Sequence, residues 1–144
     1  MKLWKALVSF IFVACYLPMA MAAGGSPAGK WNTIDDKTGK MRSVVRLTVS
    51  GNTLSGTILK IHPQPGDTGI CSKCPGVFKG KKIVGLQFVW GLKDKGNGEW
   101  TGGHILDPKS GKVYKAKMKL KGNKLYVRGY FGFSLLGRTQ VWTR

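Results

Sequence analysis

The chain has 144 residues, with 24 Lys and Arg against 6 Asp and Glu and a formal net charge of +18. That length allows one domain with one modest core. Two histidines and so few acids leave little material for acid–base catalysis, while the positive balance favours anionic partners such as lipid headgroups, lipopolysaccharide, acidic glycans or nucleic acid.

In chain order, residues 1–22 read as a signal peptide and not as part of the fold. Lys2 and Lys5 form a positive start, residues 7–17 are mostly apolar, and Ala20-Met21-Ala22 places small residues where a signal peptidase reads them. The apolar run is too short and wrongly flanked for a stable membrane span. A lipoprotein reading at Cys15 is weaker, because apolar sequence continues beyond it. Cleavage after Ala22 leaves 122 of the 144 residues as one domain, 23–144, and loss of Lys2 and Lys5 takes the charge from +18 to +16. It also removes Cys15 and leaves two cysteines, an even number suited to an oxidising compartment, the periplasm or the exterior.

Beyond the signal, short runs rich in Val, Ile, Thr, Tyr and Trp are split by Gly and Asn turns, the pattern of an all-β sandwich or barrel. Eight strands are expected, at residues 30–34, 43–50, 53–61, 83–90, 99–106, 112–120, 125–131 and 138–143. In the second, Val45, Leu47 and Val49 alternate with Val44, Arg46 and Thr48; in the fourth, Val84, Leu86, Phe88 and Trp90 share a register. The sixth has the clearest period of two, with Tyr114, Ala116, Met118 and Leu120 on one face and Lys115, Lys117 and Lys119 on the other. Tight turns such as Lys121-Gly122-Asn123-Lys124 join neighbours into an antiparallel meander. Closure into an eight-stranded up-and-down β-barrel removes the exposed edges of such a sheet.

Gly29-Lys30-Trp31 on the first strand and Arg138 on the last resemble the lipocalin pattern of a Gly-x-Trp and a late arginine lying over the indole. A planar guanidinium can stack on the ring and still hydrogen-bond across the barrel end. The expected closing group is therefore Gly29, Trp31 and Arg138. A closer resemblance covers nearly the whole mature chain. Asp36-x-Thr38-Gly39-Lys40, Cys71-x-x-Cys74-x-Gly76, Gly85-Leu86, the run from Trp100-x-Gly102-Gly103 to Gly111-Lys112-x-Tyr114, Arg128-Gly129-Tyr130-x-Gly132 and Gly137-Arg138-Thr139-Gln140-x-Trp142 together resemble the bacterial secreted family known as domain of unknown function 2147. The resemblance implies a signal-bearing, lipocalin-like small barrel with no assigned enzymatic activity.

Cys71-Ser72-Lys73-Cys74 lies in a loop from His62 to Lys82, long for a compact domain. A structural disulfide that shapes the loop is the first reading in an exported chain. A thioredoxin-like redox pair would need a helix and a βαβ setting, and Pro75-Gly76 follows at once. A metal site with Cys71, Cys74, His62 and His104 has the Cys half of a zinc pattern but no paired histidine spacing, so no metal or cofactor is assigned. A free or intermolecular thiol pair is the fourth reading.

The Gly-Lys steps at Gly39-Lys40 and Gly111-Lys112 fail as phosphate loops, because Ile34 and Leu106 stand where the earlier glycine is needed. Asp35 and Asp36 are adjacent and would point to opposite faces of a strand. With no nucleophile elbow either, catalysis is the minority expectation.

Leu86, Phe88, Trp90, Trp100, Tyr114, Ala116 and Met118 fall on three adjacent strands with one parity, which His104 shares. A barrel of eight strands is just wide enough to be filled by side chains or to hold one small ligand. Leu86, Phe88, Trp90, Trp100, His104, Tyr114 and Met118 are the candidate lining of a site for a small apolar or amphipathic molecule. The alternative uses the outward stripe Lys115, Lys117, Lys119 and Lys121 to dock on an anionic envelope surface. Nucleic acid is disfavoured, because the aromatics alternate to the other face and offer no stacking platform beside the charge.

Overall fold

The computed structural model describes residues 25–133 and 136–144; the expected signal peptide lies outside them. Eight strands follow in order: β1 (Gly29–Ile34), β2 (Met41–Ser50), β3 (Thr53–Ile61), β4 (Gln87–Gly96), β5 (Glu99–Leu106), β6 (Val113–Lys121), β7 (Lys124–Tyr130) and β8 (Gly137–Thr143). Each pairs antiparallel with the next, and β1 meets β8, so the sheet is a closed up-and-down barrel. The β8–β1 seam is narrow, with Asn32 opposite Thr143 as its paired position.

Period-two alternation places the core. Trp31 on β1, Val45 and Leu47 on β2, Leu54 and Ile58 on β3, Met118 on β6, Leu125 and Val127 on β7 and Trp142 on β8 are buried inside the barrel. The two ends differ. One carries the tight turns after β2, β4 and β6, together with residues 25–28 and the C-terminus. The other carries the β1–β2, β3–β4, β5–β6 and β7–β8 loops.

The β3–β4 loop is ordered by its own bonds. Ile70 bridges to Lys82, Cys71 N–H donates to the Lys81 carbonyl, and Cys71 is disulfide-bonded to Cys74 with Cα atoms 5.3 Å apart. A single 3₁₀ turn spans Gly76–Phe78. At its base the Arg42 guanidinium donates to the Asp67 carboxylate at 2.6 Å and to the His62 carbonyl at 3.0 Å.

β4 departs from expectation. It begins at Gln87, so Val84 lies in the preceding loop, exposed. Opposite β3 the pairing runs Thr57↔Gln87, Gly56↔Val89 and Leu54↔Leu92, so β4 spends extra residues at two bulges. Each bulge reverses the side-chain parity. Phe88, Val89 and Leu92 are consequently buried, and Trp90 turns to the outer wall opposite His104.

Candidate functional site

Strand β8 and Arg144, the residue after it, supply a line of groups along the barrel axis. Arg138, Gln140, Trp142 and Arg144 share one parity, which Trp142 fixes as the inner one. At the tight-turn end the Arg144 guanidinium lies 4.3 Å from the centroid of the Trp31 ring. Its Nη1 donates to the Ala28 and Ser26 carbonyls at 3.3 and 3.4 Å, while Trp31 Nε1 donates to the Pro27 carbonyl at 2.7 Å. Gly29 starts β1 directly beneath this group, where an added Cβ would meet Arg144 Nη1 at 3.9 Å. This end of the barrel is plugged.

The arginine over the indole is therefore Arg144 and not Arg138. The reason is geometric. In an antiparallel β1–β8 pair with Asn32 opposite Thr143, the neighbour of Trp31 is the last residue of the chain. Arg138 stands six positions away, about 20 Å along an extended strand. It lies at the loop end, 71% exposed, where its Nε pairs with the Asp36 carboxylate at 3.0 Å. Gln140 joins this group inward: its Nε2 donates to Asp36 at 3.3 Å, and its Oε1 accepts the Trp142 indole N–H at 3.2 Å.

Moving up the barrel from Trp31, the inner wall changes character. Around the plug it is bulky and apolar, with Trp142 buried and Trp100 paired with Met118, and Phe88 stacks on Trp142 at 6.0 Å. Toward the loops the inward positions become Thr33, Ser43, Gly129, Gln140, Ile105 and Tyr114. The Thr33 and Ser43 hydroxyls satisfy one another at 2.6 Å. The Tyr114 ring tilts against Phe131 at 4.4 Å, on the rim of this end.

Of the seven expected lining residues, Leu86, Phe88, Trp100 and Met118 are buried in the core and Tyr114 is half-buried near the loop end. Trp90 and His104 are not on the inner face. From Trp100↔Met118 to Gly103↔Ala116, β5 advances three residues while β6 advances two, with Gly102 at φ 79° as the extra one. That conformation costs glycine nothing and most residues a good deal. Past the bulge the parity is inverted, and His104 faces outward between Trp90 and Lys115. The Gly102-Gly103 pair inside a strand pattern is the sequence signal that marks such a bulge.

These outward groups have a structural task. Phe78 of the β3–β4 loop stacks on Trp90 at 5.5 Å, and Trp90 stacks on His104 at 5.6 Å. Cys74 Sγ sits 3.9 Å from the Pro108 carbonyl, and Gly111 packs against the Lys73 backbone. The disulfide loop is thus seated on the outer wall of β4 and β5. An open cleft of about 250 Å³ lies on the outer wall, lined by Gly102, Gly103, His104, Lys115 and Tyr130.

The lysine stripe of β6 does face outward, but part of it is engaged within the chain. Lys119 Nζ donates to the Asn97 carbonyl at 2.7 Å and lies 3.4 Å from Glu99, and Lys121 Nζ sits 5.1 Å over the Tyr126 ring. Among the described residues, no three His, Cys, Asp or Glu side chains converge to hold a metal ion.

Two carboxylates near the loops titrate low. Hydrogen bonds from the Gln64 side chain and the Thr38 backbone hold Asp35 down at about 2. The Arg42 hydrogen bond holds Asp67 below the ordinary carboxylate range against the opposing effect of burial. Both stabilise loop geometry.

The family described as an uncharacterized protein conserved in bacteria, DUF2147, matches residues 29–144. No curated protein matches the chain. Among solved structures, the Helicobacter pylori protein HP1028, described as belonging to the lipocalin family, is similar with a TM-score of 0.71 at 17% identity, covering 83% of this chain and 82% of that one. At that identity the likeness concerns the fold, which is a lipocalin-like barrel.

Proposed function

The chain belongs to the bacterial DUF2147 family, and on that premise we propose that it binds a small apolar or amphipathic molecule in the loop-side half of its barrel. The observation that carries the reading is the change in the inner wall along the axis. The Trp31 end is plugged by Arg144 and filled by Trp100 and Trp142, whereas the loop-side wall presents Gly129, Ile105 and Tyr114 beside Gln140 and Arg138. Such a wall suits a ligand with an apolar body and an acidic or hydrogen-bonding head, the head meeting Arg138 and Gln140. The similarity to a lipocalin-family fold supports the same class of function. The role is that of an exported carrier or scavenger, in keeping with the signal-like start and the disulfide.

Native mass spectrometry of protein purified from its source, compared with the same sample after denaturation, tests this. A co-purifying molecule released on denaturation is expected. A bare protein mass, together with no uptake of added fatty acid, would overturn it.

A further inference from the structure

The end of the barrel that bears the loops has a surface unlike the rest. Among the described residues, every exposed large hydrophobic side chain is carried by a segment that joins strands at this end or by the strand start next to one: Met41 at the start of β2, Ile70, Val77 and Val84 in the β3–β4 loop, and Phe131, Phe133 and Leu136 after β7. Phe133 is 78% exposed, Val77 74% and Leu136 66%. The opposite end is built from Gly51-Asn52, Asn97-Gly98 and Gly122-Asn123 turns. Single exposed apolar residues are ordinary, but their confinement to one end is not.

The same end is strongly basic. Lys37 and Lys40, four lysines between Lys73 and Lys82, and Lys109 with Lys112 are all exposed there. The carboxylates at this end are occupied by the protein itself. Asp35 accepts from Lys37 and Thr38 N–H, Asp36 from Arg138 and Gln140, Asp67 from Arg42, and Asp107 from Lys109 N–H and the Ser110 hydroxyl. They leave the lysines as the outward charge.

We infer that this end docks on an anionic lipid bilayer, with Phe133 and Leu136 entering the headgroup layer and the surrounding lysines meeting lipid phosphates. Apolar tips ringed by lysine are the composition that interfacial binding rewards. A second copy is a poorer occupant, because mouth-to-mouth pairing would bring two rings of lysine together. The β6 stripe is a poorer face, because Lys119 and Lys121 already have partners and Tyr114, the aromatic residue of β6, shares the parity of the buried Ala116 and Met118. The inference stands apart from the ligand reading, since docking requires no molecule inside the barrel.

Cosedimentation of the mature protein with vesicles of phosphatidylethanolamine and phosphatidylglycerol, and with phosphatidylcholine vesicles as the neutral comparison, decides it. Binding to the anionic vesicles alone is expected, weakening steeply as NaCl is raised. The variant combining Phe133→Ser and Leu136→Ser should bind at least about tenfold more weakly. Its melting temperature should be unchanged, because those side chains are already exposed. Three results would overturn the inference: no vesicle binding, binding unaffected by the rim variant but lost on Lys115→Glu with Lys117→Glu, or a stable dimer that the rim variant dissolves.

Discussion

Arg144, the last residue, lies with its guanidinium 4.3 Å from the centroid of the Trp31 ring on the first strand, and the contact seals one end of the barrel. It also ties down residues 26–28 through their carbonyls. Arg144→Ala should cost about 1–2 kcal/mol in denaturant unfolding, from the lost cation–π contact and hydrogen bonds. Arg144→Lys should recover only part of it, because an ammonium cannot stack as a planar fork does. Arg138→Ala, by contrast, removes an exposed ion pair and should cost less than about 1 kcal/mol. Equal effects at the two positions would refute this assignment.

Where sequence and structure part company is informative. The eight strands, the inward faces of β2 and β6, and the Cys71–Cys74 loop follow from alternation, turn residues and cysteine spacing. Alternation extrapolates a face along a strand, so it fails wherever a bulge inserts a residue. That is why Trp90 and His104, assigned to the interior, stand outside. Arg138 was a motif-level match; the strand pairing, which no local pattern encodes, selects Arg144. The loop-end rim is equally illegible, because it draws residues from two loops and a strand start that are distant in the chain.

On the side facing β4, the bulge in β5 leaves no room for a side chain at Gly103. A Cβ at Gly103 would sit 2.5 Å from the Trp90 carbonyl oxygen and 2.6 Å from Leu92 N. Both are backbone or core atoms, so they cannot yield cheaply. Gly103→Ala should destabilise by about 1–3 kcal/mol in the same unfolding assay. A neutral result would mean that β4 and β5 are farther apart than described.

The disulfide closes a very short ring, so its effect on the unfolded chain is at most about 2 kcal/mol. Cys71→Ser with Cys74→Ser should therefore leave a folded barrel. The loss should be local. Amide hydrogen exchange is expected to accelerate at Cys71 and Ile83, whose N–H groups bond within the loop, and not at Val45 or Leu125. Global unfolding of the double variant would contradict this.

Acid should loosen the loop end before the barrel. Asp35 and Asp67 have folded pKa values below their unfolded ones, so their contribution is fully present above the ordinary carboxylate value. It is lost as pH falls from that value through the folded pKa, which for Asp35 is a descent from 3.8 to about 2. Stability measured by urea unfolding should be flat with respect to these groups near neutrality and fall in that acid window. Asp67→Asn should flatten part of the fall.

The most direct measurement is an amide NMR titration of the delipidated protein with lauric acid. Shifts are expected at Ile105, Tyr114, Gly129 and Gln140, around the loop-side wall, with Trp31 and the Gly51-Asn52 turn undisturbed. Shifts confined to the outer cleft at His104, Lys115 and Tyr130, or no shifts at saturating fatty acid, would contradict a ligand site inside the barrel.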